Sequence, residues 1–525
     1  MSFDYILKGG LIIDGATENS KPERADIAFE GDRIKEIGLL ANSSAKKVIN
    51  IDGMYVCPGF IDVHAHSEFV LLADGRAEGK ICQGITTEVN GNCGLSAAPL
   101  YGPALEQREK DLDEFNITER WGSFPEYFAL LEKKGIALNF ATLVGHGNLR
   151  ASVLGYADRP LSEAEKKKVY ELMESAIESG ARGVSTGLIY PPGIYSDTSE
   201  LIELSSELKK HEGIYATHMR SEGDRLLESI DEVISIAEKS KIHVHISHLK
   251  TSGERNWGKL PEVFQKIELA NRSGLNLSCD RYPYIASSTD LDSILPSWAF
   301  EGGRSKELER LNNERKRLSG EILRLNPEVS FWDKVVISSV GLEKNKWMEG
   351  KSLQHIGSSL KHHPVECFFD TLIEEELQVG AVFFTMDEEN LKSILKYPCT
   401  MLGTDSSARS FDGITASGIP HPRGFGSFPK VLGRYTREQG ILRIGEAVYK
   451  MTGLPARTFR LNQRGVIAKE YFADVTVFNA EEVNDCAEFS DPFQRPEGIY
   501  HVFVNGEPVI FDREFTGVLP GRVLK

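Results

Sequence analysis

Two histidines one residue apart, in Pro58-Gly-Phe-Ile-Asp-Val-His64-Ala-His66, are the pair in this chain best spaced to do chemistry. Side chains alternate along an extended strand, so positions i and i+2 leave the same face and reach one metal ion together. A His-x-His pair inside an apolar strand is as readily a hydrogen-bonded structural pair, so the metal reading needs further donors. Donors stand where other apolar runs end. Cys93 lies in Asn90-Gly-Asn-Cys-Gly94, His218 ends Ile214-Tyr-Ala-Thr, His248 ends the run from Ile242, and Asp405 follows Met401-Leu-Gly-Thr. Four imidazoles, a thiolate and a carboxylate suit zinc, a borderline-soft ion that favours nitrogen and sulfur. The set exceeds one tetrahedral site, which implies two neighbouring sites. Asp405 can do more than ligate. Zinc lowers the pKa of a held water toward ~7, and an adjacent carboxylate can take its proton and return it to a leaving nitrogen. Hydrolysis of an amide or related bond is the reaction that needs this machinery.

Each donor also has a bland reading. Cys93 on its own is as readily a buried structural thiol, but its setting among Gly and Asn favours a ligand. Strand alternation puts His248 on the face of Lys250 and puts His243 and His245 on the other, so those two read as structural. His146, in Val144-Gly-His-Gly-Asn, either lines the pocket or bonds backbone. Positive charge is expected at the same mouth: Lys250, and Arg423 about 18 residues after Asp405, with Tyr282 after the run Leu275 to Cys279. An arginine grips a carboxylate bidentately, and a lysine or tyrosine completes the anchor.

The elements that must position these residues alternate between strand-like runs and amphipathic helices over residues 57–456. Ser162-x-x-Glu165 is a capping box, and Val169, Met173 and Ala176 give the stripe of the helix that follows. Repeated βα units predict an α/β fold, a TIM-like (β/α)8 barrel with its reactive groups at the C-terminal strand ends; an open doubly wound sheet is the alternative. Short strands and turns at both termini, including Asn505-Gly506, predict one small β-sandwich domain built from residues 1–56 and 457–525. A helical insertion is expected at about 286–350. Its charged run Arg304 to Leu325 reads as a small lid or equally as a solvated surface helix.

The chain has 525 residues, 41% hydrophobic and 26% charged, an ordinary globular composition. Its 61 basic and 77 acidic residues give a net charge of -16, which argues against a nucleic-acid or anionic-membrane partner. The start has no basic segment followed by an apolar one, and no apolar run spans a bilayer, so the expected compartment is the cytoplasm. Seven scattered cysteines are expected as free thiols.

These residues resemble the amidohydrolase superfamily and, within it, the N-acyl-D-amino-acid deacylases (D-aminoacylases). The resemblance runs through Pro58 to Ser67, Gly91-Asn-Cys-Gly94, Thr217-His-Met-Arg-Ser-Glu222, Ile246-Ser-His-Leu-Lys250, Gly403-Thr-Asp-Ser406, His421 to Pro429 and Thr516 to Arg522. It implies a zinc enzyme that hydrolyses small-molecule N-acyl-D-amino acids to a carboxylate and a free D-amino acid. It implies one tightly held zinc on Cys93, His218 and His248, with cysteine where many relatives bridge metals with a carboxylated lysine, and a weaker site on His64, His66 and Asp405. Lys250, Tyr282 and Arg423 would hold the substrate carboxylate, with Tyr190 and Ser288 as pocket members. Glu68 departs from the aspartate common after His-x-His-Ser. The competing readings are a dipeptidase acting on D-residues or a hydantoinase-like cyclic amidase, and, from another class, a metal-free scaffold, whose expected signature of lost ligands is missing here.

Overall fold

The computed structural model describes residues 2–525. Eight parallel strands form its centre: β1 (Phe60–Asp62), β2 (Ile85–Asn90), β3 (Asn139–Thr142, continued by Val144–Gly145), β4 (Gly183–Gly187), β5 (Ile214–His218), β6 (His243–Ile246), β7 (Leu277–Arg281) and β8 (Thr400–Leu402). Each pairs in parallel with the next, from Asp62 opposite Glu88 round to Cys279 opposite Thr400. The ring closes between β8 and β1. There Val63 N donates to Leu402 O at 3.4 Å, Asp405 N donates to His64 O at 2.8 Å, and Ala65 bridges Ser406. This is the (β/α)8 barrel expected from the alternating pattern, and it sets the open sheet aside.

Burial explains the strand sequences. β4, β5 and β7 are buried along their whole length, as parallel strands covered by helices must be. The helix Glu163–Glu178 begins at the expected box, with Ser162 N donating to Glu165 at 2.8 Å and Glu165 N donating back to Ser162 Oγ at 3.4 Å. It then turns Val169, Met173 and Ala176 inward.

Strands from both ends of the chain share one nine-stranded sheet, joined where Val56 lies antiparallel to Val477. Its core includes Leu7, Phe29, Val56, Val475 and Phe503. Asn505 (φ 51°) and Gly506 (φ 82°) both take left-handed backbone at the turn between Ile499–Val504 and Glu507–Phe511. A Cβ at Gly506 would meet Gly31 O at 2.0 Å.

The segment expected as a helical insertion at about 286–350 runs further and is mixed. Ser287–Asp290, Val335–Val340 and Val379–Phe383 form an antiparallel sheet, and with helices Arg304–Asn313 and Arg315–Leu325 they enclose a core that includes Leu311, Leu318, Ile322, Phe368 and Phe369. The charged run breaks at Glu314, and it buries Leu311, Leu318 and Ile322 while Leu323 and Leu325 stay exposed. The cluster of the buried three draws on Leu291 to Phe300 just upstream and on Trp332 to Phe383 downstream, so the run alone reads as a solvated helix. Among the described residues no helix is long and apolar enough to cross a membrane.

Candidate metal centre and active site

Strand ends deliver the donors to one mouth. His64 and His66 follow β1, Cys93 lies in the loop after β2, His218 closes β5, His248 follows β6, and Asp405 follows β8. Cys93 Sγ lies 3.3 Å from His64 Nε2 and 3.4 Å from His248 Nε2. Asp405 Oδ1 is 3.2 Å from His66 Nε2 and 3.5 Å from His64 Nε2. The donor atoms of His64, Cys93, His248 and Asp405 all lie within 4.8 Å of one another, as do those of His218, Glu222 and His248. The thiol therefore sits between the two histidine groups, and His248 belongs to both clusters.

Three of these residues hold left-handed backbone without being glycine: Cys93 (φ 53°), His248 (φ 36°) and Asp405 (φ 52°). That region costs about 1–2 kcal/mol per residue and persists where the surroundings over-determine it. The charges are set by the same neighbours. Burial opposes ionising the Cys93 thiol, yet the His64 and His248 rings bring it well below the usual thiol range. Burial likewise opposes the Asp405 carboxylate, and Arg423 with the His248 and His64 rings holds it well below the usual carboxylate range. His218 is lowered, chiefly by burial, and so stays neutral. Neither of its ring nitrogens has a well-directed hydrogen-bond partner among the described residues. A thiolate, an ionised carboxylate and the neutral His218 ring with both nitrogens unpartnered are donor chemistry that zinc takes, and a bound cation would replace the protons that the anionic neighbours favour on the His64, His66 and His248 rings.

Two residues that the sequence reading did not single out orient the donors. Asp280, at the end of β7, lies 3.1 Å from His64 Nδ1 and 2.8 Å from His245 Nε2, and accepts from His248 N at 3.0 Å. Held through Nδ1–H, the His64 ring turns Nε2 toward Cys93. Glu222 does the same for His248, at 2.8 Å from Nδ1. The signal for Asp280 was available, since it closes an apolar strand as the ligands do. His245 reaches Asp280 through its ring, whereas His248 reaches it through its backbone N and turns its own ring to Cys93, so the two side chains part as strand alternation expects. Glu68 bridges the first two loops, accepting from Gly91 N at 2.7 Å.

A cavity of about 1700 Å³ opens over these groups, lined by His66, Cys93, His218, His248 and Asp405 together with Tyr190, Lys250, Ser288 and Arg423. Arg423 NH1 is 2.9 Å from Asp405 Oδ2, and its NH2 donates to Ser288 O at 3.1 Å. Lys250 Nζ lies 2.5 Å from Glu222 Oε1 and 2.7 Å from His248 Nδ1. Tyr282 is fully buried and backs the two cations with its ring, 4.7 Å from the Arg423 guanidinium and 6.0 Å from Lys250 Nζ. Tyr190 packs edge-on to His218 at 5.2 Å and exchanges a hydrogen bond with Thr289 at 3.0 Å. His146 pairs instead with Glu200 at 3.0 Å, away from the donors.

Farther along the same wall, Asp292 and Glu307 face each other in the insertion. Burial, then the Asp292 charge, pushes Glu307 up to about 9 from 4.5, and burial with the Asp290 charge pushes Asp292 to about 7 from 3.8. A carboxyl raised on folding binds more protons folded than unfolded, so its contribution to stability is present below the unfolded value and lost as pH rises through the folded one. The protein is thus expected to lose thermal stability between pH 4.5 and 9. Glu307→Gln should cancel part of this, raising Tm by about 2–5 °C at pH 9 and changing it little at pH 5. Melting curves across that window check the sign.

Comparison with known proteins points to one family of relatives. The amidohydrolase family pattern matches residues 47–275. The chain is 37% identical over 526 residues to a D-aminoacylase of Alcaligenes xylosoxydans xylosoxydans, covering 99% of this chain and 97% of that protein. It resembles the crystal structure of an N-acyl-D-glutamate deacylase of Bordetella bronchiseptica complexed with zinc and a phosphonate mimic of the tetrahedral intermediate, with a TM-score of 0.85, 32% identity and full coverage of both chains. A D-hydantoinase of a Bacillus species shares the fold alone, at 16% identity and a TM-score of 0.56.

Proposed function

Because the chain belongs to the D-aminoacylase family of the amidohydrolases and hydrolyses N-acyl-D-amino acids to a carboxylate and a free D-amino acid, we propose how its residues divide that work. The observation that carries the assignment is the Cys93 thiol set between His64 and His248, with the Asp405 carboxylate facing both histidines and Arg423. Cys93, His218 and His248 hold the tight zinc, and His64, His66 and Asp405 a weaker second site. When bound, zinc polarises the amide carbonyl and acidifies a water.

The remaining work belongs to the chain. Asp405 takes a proton from the attacking water and delivers it to the amide nitrogen, so that the C–N bond breaks to give a carboxylate and an amine. Arg423 grips the α-carboxylate of the substrate, and Lys250 completes the grip after exchanging its contacts with Glu222 and His248. Tyr282 supports both cations from behind, while Tyr190 and Ser288 shape the pocket. Seating an anion on Arg423 draws the guanidinium away from Asp405 and makes Asp405 a stronger base once the correct substrate is bound. The second reading, a cyclic amidase, gives that clamp no carboxylate to hold.

Release of free amine from a panel of N-acetyl D- and L-amino acids tests the assignment, with turnover of the D-series expected. Arg423→Ala is expected to lower kcat/KM for these substrates roughly 10–200-fold, mainly through KM, the size of a lost charged hydrogen bond. Equal parent activity on acids and their carboxamides would refute the clamp. We also place the enzyme in the cytoplasm, acting on small molecules with no nucleic-acid or membrane partner, in keeping with its net charge of -16.

A further inference from the structure

Beneath the metal donors lies a buried ion cluster that the reaction itself does not use. Lys80, on the short helix Glu78–Ile81, is completely buried. Its Nζ donates to Asp62 Oδ2 at 2.7 Å, to Thr404 Oγ1 at 2.8 Å and to Ser406 O at 3.0 Å, and pairs with Glu88 Oε1 at 2.8 Å. Asp62 and Glu88 are also fully buried. Each partner belongs to a segment that carries donors. Asp62 stands two residues before His64, and its Oδ1 accepts from His64 N at 3.2 Å and from Thr404 N at 2.8 Å. Glu88 lies on β2, five residues before Cys93. Thr404 and Ser406 flank Asp405.

We propose that Lys80 is the positioning residue of the metal centre, a single amine that clamps the segments bearing His64 and His66, Cys93, and Asp405 into register before any metal arrives. Burying one cation with two carboxylates is a poor way to gain stability alone, because the loss of hydration opposes the gain from pairing. What the arrangement supplies is geometry. Cys93 and Asp405 both hold left-handed backbone, and such backbone persists only where neighbours fix it from several sides. Lys80 does so for Asp405 by binding the residues on either side of it. It also joins strands that are neighbours in the barrel only through its closure, so no local turn could set their register. The inference rests on the zinc assignment above.

Lys80→Met removes the amine at similar volume, and Lys80→Met/Glu88→Gln removes a cation and a carboxylate together, leaving Asp62 with its backbone donors. In folded variants, zinc release to a chelator is expected to accelerate about 10–100-fold and kcat to fall by a similar factor, with KM within roughly threefold of the parent. A purely structural role would lower Tm and leave the zinc release rate and kcat unchanged. Folded variants within about twofold of the parent in both would overturn the proposal. If neither variant folds, the parent decides. Stripped of zinc, it should keep amide-exchange protection at 64–66, 90–93 and 404–406 within about threefold, because lysine rather than metal holds those segments. Loss of protection confined to them would overturn it. A parent that takes up no zinc overturns the zinc assignment itself, and this inference with it.

Discussion

Asp405→Asn is expected to reduce kcat by about 10³–10⁴-fold while close to one zinc per chain remains bound. The substitution keeps the side-chain volume and removes the base. The tight set we propose, Cys93, His218 and His248, does not include Asp405, so metal content should survive. The predicted asymmetry comes from the position of Asp405 between two kinds of neighbour. His66 and Arg423 meet its opposite oxygens at 3.2 Å and 2.9 Å, so one carboxylate faces both the donors and the clamp. KM should change less than kcat, because Arg423 stays in place to bind the substrate. Metal analysis and steady-state kinetics on the same preparation decide the matter. Residual turnover within tenfold of the parent would assign the proton transfer elsewhere, with Glu222 the next carboxylate in reach of the cluster.

Cys93→Ala should cost the metal as well as the rate, with zinc affinity falling at least about 100-fold and activity falling with it. Cys93 stands between His64 and His248, so its loss opens both sites, whereas losing His66 opens one. Its thiol is held well below the usual range by the His64 and His248 rings, against the effect of burial. That ionised state is the one a metal binds, since only the thiolate ligates. The fold should survive, because Cys93 sits in a Gly and Asn loop beyond β2 rather than within the apolar layers. A Cys93→Ala protein that melts like the zinc-free parent and keeps no zinc on dialysis fits this account. One that retains zinc at the parent's stoichiometry does not.

The proposed metal donors were legible in the sequence because they stand where apolar runs stop. In a parallel barrel the C-terminal strand ends share one mouth, so residues hundreds of positions apart can be grouped by local pattern alone. Local pattern picked out His64, Cys93, His218, His248 and Asp405, and charge picked out Lys250 and Arg423; all seven line one mouth, where we propose their roles. The residues that orient the donors were not found. Asp280 closes an apolar strand as the donors do, but Glu222 and Lys80 carry no local signature, because a buried carboxylate or amine looks like any surface charge until its partners are known. Lys80 meets Thr404 and Ser406 only because β8 closes against β1. The insertion shows the same limit, since Leu311, Leu318 and Ile322 share their core with residues both upstream and as far downstream as Phe383.

By itself the sequence determined the repeated βα units, the candidate donor types and their order along the chain, because strand periodicity and the chemistry of imidazole, thiol and carboxylate are local properties. Only the tertiary structure decided how those donors share the space: Cys93 between two histidines, Asp405 divided between His66 and Arg423, and Lys250 held by Glu222. Those are contacts across the closed ring. Closure brings together segments whose separation in sequence holds no information about distance, and it buries charges whose meaning depends on which neighbour they meet.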